Sequence, residues 1–129
     1  MHKSKSPAKT SAYLLIATGI LHNLIGFVLG FEVLAGMVRD GLFNSTLVQF
    51  DRQAIFWFLF SGFAMMLWGV LIANLERVPN TFSWSLLILS VLGVIIMPAS
   101  GFWLVIPQAL YMLWQNQKRD ASTLKPKTL

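Results

Sequence analysis

The longest uncharged stretch of this sequence runs from Arg77 to Lys118, and its forty intervening residues are mostly apolar. As a single helix rising about 1.5 Å per residue it would be about 60 Å long, twice the roughly 30 Å hydrocarbon core of a bilayer. The stretch must therefore fold back on itself. Near its middle, positions 98–101 read Pro-Ala-Ser-Gly, which combines a helix-breaking proline with a flexible glycine. We expect one helix over residues 81–97 and another over residues 102–115.

Two further apolar stretches, residues 12–31 and 53–75, are each long enough for one membrane crossing. The first exceeds the usual apolar length of a cleaved signal peptide, so we interpret it as a retained span. With 56% hydrophobic and 12% charged residues, the chain is too apolar for a soluble domain of 129 residues. The sequence predicts an all-α fold, a four-helix transmembrane bundle, with one membrane domain over residues 12–115 between basic tails at 1–11 and 116–129.

The distribution of basic residues predicts the orientation of these spans. With four spans, only Arg39 and Arg52 lie on the outer side, which satisfies the positive-inside rule. We therefore expect a multi-pass protein of the bacterial inner membrane with both termini in the cytoplasm. The net charge of +5 then reflects contact with the lipid bilayer and indicates no nucleic-acid partner. The basic residues expected on the cytoplasmic side are Lys3, Lys5, Lys9, Arg77, Lys118, Arg119, Lys125 and Lys127.

The segment between the first two spans, residues 32–52, is half apolar and half polar. This composition predicts a short amphipathic outer loop that lies along the membrane surface as an interfacial helix. Asp51 is the expected N-cap of the second span. The charged residues of the segment could form an ionic cluster that caps the bundle, and a head-group or divalent-metal site is the alternative; we assign no metal to it. This cluster comprises Glu32, Arg39, Asp40, Asp51 and Arg52.

Each expected span carries a polar residue near the bilayer midplane, and His22 is the most notable of them. A neutral imidazole in hydrocarbon needs hydrogen-bond partners, so these side chains predict a polar layer. The layer could simply join helices, form a pocket for a quinone or a lipid, or relay protons or ions. Bis-histidine haem ligation is disfavoured, because His2 is the only other histidine and precedes the first span. The layer comprises His22, Ser61, Ser90 and Gln108.

Glycines spaced along the first span predict close helix packing. Gly19, Gly26 and Gly30 share one face of that helix, and residues 26–30 match the Gly-x-x-x-Gly pattern. We interpret this face as packing within the chain, with homodimerisation as the alternative.

The residue types needed for several kinds of chemistry are missing from the sequence. Because the chain has no cysteine, disulfides, thiolate nucleophiles and cysteine-ligated metals are excluded. We find no nucleotide-binding glycine loop, no paired membrane-embedded carboxylates and no Ser-His-Asp arrangement in plausible register. The sequence therefore predicts no catalytic residues and no cofactor other than a bound quinone or lipid.

Several short motifs are spread over most of the chain. They are Gly19-Ile20-Leu21-His22, Arg39-Asp40-Gly41, Asp51-Arg52, Phe56-Trp57-Phe58 with Gly62 and Gly69, and Met97-Pro98 followed by Ser100-Gly101-Phe102-Trp103. These motifs resemble a family of small bacterial four-span membrane proteins whose function is unknown. The resemblance covers about residues 12–115 and implies a four-span architecture and a bacterial membrane location, without an activity. In size and arrangement the chain is also similar to DoxX-like four-helix membrane proteins, some of which are associated with quinone or thiol redox systems.

We expect a non-enzymatic membrane component that binds a lipid or a quinone, or that associates with a membrane-protein partner. A small dimeric transporter is one alternative, since the chain resembles small multidrug resistance proteins in length and span count. Those proteins carry a membrane-embedded glutamate in their first helix, whereas here Glu32 lies at the interface. The other alternative is a subunit of an intramembrane redox or lipid-modifying enzyme, with His22 as its acid–base group.

Overall fold

The computed structural model describes residues 7–123, and this part of the chain contains five α-helices and no strands. The predicted all-α class is therefore confirmed. His2, Lys3, Lys5, Lys125 and Lys127 lie outside the described residues. The helices are α1 (Pro7–Leu29), α2 (Phe31–Asp40), α3 (Phe50–Ala73), α4 (Asn80–Ile96) and α5 (Phe102–Thr123).

The segment between the first two long helices contains the short helix that its amphipathic composition predicts. α2 follows α1 after a single break at Gly30, whose amide N–H still donates to the Gly26 carbonyl at 2.8 Å. The expectation that Asp51 caps the next helix is wrong: Gln49 is the N-cap residue of α3, in an extended conformation. Asp51 lies in the first turn of α3 instead, where a carboxylate interacts favourably with the positive end of the helix dipole.

The uncharged stretch folds back where the sequence predicts. α4 ends at Ile96 and α5 begins at Phe102. The indole N–H of Trp103 donates to the Pro98 carbonyl at 2.9 Å, which fastens the start of α5 to the turn. α5 continues to Thr123, beyond the expected end of the apolar span at residue 115, so part of the expected C-terminal tail is helical.

α1 is the central helix of the arrangement. It packs against both α3 and α5, while α4 packs against α5 and α2 packs against α1 and α3. Among the described residues, α3 does not pack closely against α4 or α5. The four long helices therefore follow the spatial order α3, α1, α5, α4, and the side between α3 and α4 is open.

The buried apolar core lies at one end of the helices, near the N-terminus of α1 and the connection between α3 and α4. Small residues on α1 let its neighbours approach closely at this end. Contact between all four long helices and the α3–α4 connection buries the following residues: Ala8, Ala12, Leu15, Ile72, Val78, Leu86, Val105, Ala109 and Met112.

Two helices of the described chain, α1 from Ala8 and α3, are long and apolar enough to cross a membrane. α4 is also apolar but has 17 residues, and the last two turns of α5 are polar. On each of these four helices the exposed large apolar side chains outnumber the buried ones. A soluble fold of this size would bury many of them.

Candidate functional site

The structure brings two of the four predicted midplane residues into contact, His22 on α1 and Ser61 on α3. The His22 Nε2 atom lies 3.1 Å from Ser61 Oγ and 3.0 Å from the Phe58 carbonyl oxygen. Ser61 Oγ donates to that same carbonyl at 2.7 Å. The imidazole also stacks on the Phe58 ring, with centroids 3.8 Å apart. His22 therefore has a fixed orientation against α3, while Ser61 remains exposed.

Gln108 belongs to a second polar bridge, which joins α1 to α5. Its side-chain amide donates to Thr18 Oγ1 at 2.6 Å and to the Leu104 carbonyl at 3.0 Å. Thr18 and His22 are four residues apart on α1, so the two bridges lie about one helical turn apart. Thr18 is not among the predicted midplane residues, and its four-residue spacing from His22 is the signal in the sequence that could have identified it.

Ser90, the remaining member of the predicted layer, does not join the others. It is buried and donates to the Leu86 carbonyl of its own helix at 2.6 Å. A serine in an apolar helix can satisfy its hydroxyl in this way without an interhelical partner. In place of one continuous polar layer, the structure has two separate polar bridges, one from α1 to α3 and one from α1 to α5. Ser90 belongs to neither of them.

Asn23, next to His22 on α1, is a buried polar residue that the predicted site omits. Only 5% of its surface is exposed, and neither its side-chain oxygen nor its side-chain nitrogen has a hydrogen-bond partner within residues 7–123. The amide lies directly against Gly62 of α3, where a Cβ atom would overlap the Asn23 Oδ1 atom. Gly62 thus provides the space that Asn23 occupies.

The glycine face of α1 packs against α3. A Cβ atom on Gly19 would lie 2.7 Å from the Gly62 carbonyl oxygen, and one on Gly26 would lie 2.7 Å from a Leu59 methyl carbon. A Cβ atom on Gly30 would likewise overlap the side chain of Ile55 on α3. The Gly-x-x-x-Gly pattern therefore serves packing within the chain, and α3 occupies the face that a second copy would need.

Of the five residues in the predicted outer ionic cluster, the structure pairs two. The Arg52 guanidinium forms an ion pair with Asp40 at the end of α2 and also donates to the Ser45 carbonyl at 3.1 Å. Glu32, Arg39 and Asp51 make no ion pair within residues 7–123. No group of three or more His, Asp or Glu side chains in this range could hold a metal ion. Arg52 therefore connects α3 to the end of α2 and to the loop between these two helices.

A second polar cluster, at the opposite end of the helices, fastens the α3–α4 connection to α5. Arg77 forms a two-bond ion pair with Asp120, at 2.8 and 3.0 Å. The buried Asn116 amide donates to the Val78 carbonyl at 2.8 Å and to Asn80 Oδ1 at 2.5 Å. Arg119 donates to the Glu76 carbonyl at 2.6 Å. The spacing of Asn116 and Asp120, four residues apart on one face of α5, is the signal for this cluster in the sequence.

An apolar groove lies between α3 and α4, on the side where these helices do not pack. Its volume is about 350 Å³. Across it, the Trp68 and Phe82 rings meet edge to face with centroids 6.1 Å apart. The groove closes at the α3–α4 connection, which the second polar cluster holds in place. Its lining residues are Trp68, Leu71, Ile72, Leu75, Pro79 and Phe82.

Comparison with known proteins identifies a family for this chain. Neither the curated proteins nor the solved structures contain a match to it. A family model, described as a family of unknown function, DUF6463, matches residues 6–119, which include all the helices described above except the last turn of α5. The match agrees with the predicted membership of a family without an assigned function. The chain therefore belongs to the DUF6463 family.

Proposed function

We propose that this protein is a multi-pass protein of the bacterial inner membrane that binds an amphipathic, lipid-like molecule without transforming it. In this proposal α1, α3, α4 and α5 are the four spans, and both termini lie in the cytoplasm. The observation that carries the binding role is the apolar groove between α3 and α4.

Helix length and surface composition support the four spans. At about 1.5 Å per residue, α1 and α3 are each more than 30 Å long, and α4 is about 26 Å long. The apolar part of α5, residues 102–114, is about 20 Å long, and its polar turns extend beyond it. Spans shorter than the hydrocarbon core are accommodated by local thinning of the bilayer. The outward faces of α4 and α5 expose Ile88, Leu89, Ile95, Leu104 and Leu110, which lipid chains would cover.

The chemistry of the groove supports a lipid-like ligand. Its lining side chains are apolar, and a ligand pocket of this size is typical of small molecules. Because α3 and α4 do not pack closely apart from the contact between Trp68 and Phe82, a molecule dissolved in the bilayer can enter from the side. The groove surface offers an acyl or isoprenoid chain apolar contact and contains no charged group to bind a polar solute.

Non-catalytic binding is favoured over the enzyme alternative by the surroundings of His22. Its neighbours in the structure are a carbonyl oxygen, a hydroxyl and a phenyl ring. These groups orient the imidazole, and none of the three is an ionisable side chain of the kind that commonly pairs with a catalytic histidine, such as a carboxylate.

The test is native mass spectrometry of the protein released from its own membranes in mild detergent. Leu71→Trp places an indole in the groove, and we expect it to remove a co-purifying lipid-like adduct that the unmodified protein carries. Leu67→Trp is the matched control, because Leu67 is on the same helix, is 59% exposed against 57% for Leu71, and does not line the groove. A protein without an adduct, or equal adducts on both variants, would contradict the proposed function.

A further inference from the structure

The polar pair formed by His22 and Ser61 has used all of its hydrogen-bond donors. The Phe58 carbonyl oxygen can only accept, so the His22 Nε2 atom that faces it at 3.0 Å carries the proton. The Ser61 hydroxyl donates to the same oxygen at 2.7 Å. In the neutral imidazole, the Nδ1 atom is then an acceptor.

Both acceptor positions of the pair are available. His22 Nδ1 makes no hydrogen bond within residues 7–123 and is not one of the buried unpartnered polar atoms in that range. Ser61 is exposed, and its oxygen has a second lone pair. An acceptor without a partner is costly in hydrocarbon, so a group that donates hydrogen bonds is the chemical complement of this pair.

The pair lies on the groove side of α3. Ser61 and Trp68 are seven residues apart, so they share one face of the helix and are separated by about 10 Å along its axis. A molecule whose chain contacts Trp68 in the groove can therefore extend along α3 to Ser61 and His22. At this depth in the membrane a charged head group would be strongly disfavoured, whereas an uncharged one is not.

We propose that His22 and Ser61 bind the hydroxyl head group of an uncharged amphipathic alcohol or phenol whose apolar chain lies in the α3–α4 groove. This inference rests on the proposed function and specifies the ligand class. The hydroxyl donates to His22 Nδ1, and Ser61 orients the imidazole for it through the contact between Ser61 Oγ and His22 Nε2. A head group that carries only carbonyl or ether oxygens is not retained, because the pair has no free proton to offer it.

The experiment compares two probes in lipid nanodiscs, para-decylphenol and para-decylanisole, which share a ring and a chain but differ in the hydroxyl proton. The readout is the nitrogen-15 NMR signal of the His22 Nδ1 atom, in a His2→Gln variant that leaves one histidine. We expect the phenol to shift this signal in a saturable titration and the anisole to leave it in place. Ser61→Ala should raise the dissociation constant of the phenol about three- to tenfold, because the imidazole then loses one of the hydrogen-bond contacts that orient it.

Binding of each probe is measured separately, as bound mass in native mass spectrometry, so that the two proposals can fail independently. If the phenol binds and Leu71→Trp removes it, but the Nδ1 signal does not move or moves equally with the anisole, the head-group assignment is wrong while the groove function stands. If neither probe binds, the proposed function is wrong. An Nδ1 signal already shifted without probe, and restored on dilution to monomer, would assign the pair to a second copy of the chain and overturn this inference.

Discussion

At Gly62 of α3, an added methyl group would make its closest contacts with a single side chain, that of Asn23. An alanine Cβ there would overlap Asn23 Oδ1, lie 2.6 Å from Asn23 Cγ and lie 3.0 Å from His22 Cδ2. Overpacking of this kind costs about 1–3 kcal/mol, and the better helix propensity of alanine offsets about 0.5–1 kcal/mol of it. We therefore expect Gly62→Ala to lower the free energy of unfolding by about 0.5–2 kcal/mol.

A double-mutant cycle with Asn23→Ala identifies the origin of this cost. Asn23→Ala removes the overlapping amide, whose polar atoms have no hydrogen-bond partner in residues 7–123, so alone it should change stability by less than about 1 kcal/mol. In that background Gly62→Ala should be nearly neutral, which corresponds to a coupling energy of about 1 kcal/mol. Gly101→Ala is the control, because a Cβ atom there has nothing within 4 Å.

The assay is equilibrium unfolding in mixed micelles with increasing sodium dodecyl sulfate, followed by far-UV circular dichroism for all five proteins. A Gly62→Ala variant as stable as the unmodified protein would contradict the expected overpacking. An equal loss of stability with and without the Asn23 side chain would contradict it as well, since the overlap with Asn23 would then not be the cause.

Three further predictions use the same unfolding assay or hydrogen exchange. Asn116→Ala should lower the free energy of unfolding by about 1–3 kcal/mol, because it leaves the buried Val78 carbonyl without its hydrogen-bond donor. Gln117→Ala, on the exposed side of α5, should leave the free energy of unfolding unchanged, and equal effects of the two substitutions would contradict this prediction. The Arg77–Asp120 pair is about half exposed, so a double-mutant cycle should give a coupling energy of only about 0.2–1 kcal/mol, and a larger value would show that the pair is less solvated than described. Arg52→Gln should speed amide exchange in residues 41–49, because it removes the ion pair to Asp40 and weakens the contact to Ser45, whereas Arg39→Gln should leave that exchange unchanged.

The helices of this chain could be predicted from the sequence because charged residues, proline or glycine stand at or near most of their ends. Charged residues bound the apolar stretches, and the proline and glycine at positions 98 and 101 mark the turn between α4 and α5. The amphipathic pattern of residues 32–52 likewise predicts the short helix α2. The sequence did not predict that α5 continues to Thr123, because the last turns of this helix are polar. These turns are held by hydrogen bonds to the α3–α4 connection.

The packing order of the helices could not be predicted in the same way. α1 and α3 are apolar on all sides, so hydrophobic periodicity does not identify the face that packs. The position of a residue along an expected span indicates its depth in the membrane, but it does not indicate which neighbouring helix its side chain faces. His22 and Ser61 therefore meet as expected, whereas Ser90, at a similar expected depth, bonds within its own helix, and Asn23 is buried against a glycine.

The proposed binding role depends most on α4 and α5 crossing the membrane, because only then does the groove between α3 and α4 open to lipid. Since the chain has no cysteine, single cysteines can be placed at the exposed positions Phe43, Glu76 and Ala99 and labelled in intact cells with a membrane-impermeant maleimide. We predict labelling of Phe43→Cys and Ala99→Cys from outside, and of Glu76→Cys only after permeabilisation. If Ala99→Cys were labelled only together with Glu76→Cys, the α4–α5 hairpin would not cross, and the four-span topology would be contradicted.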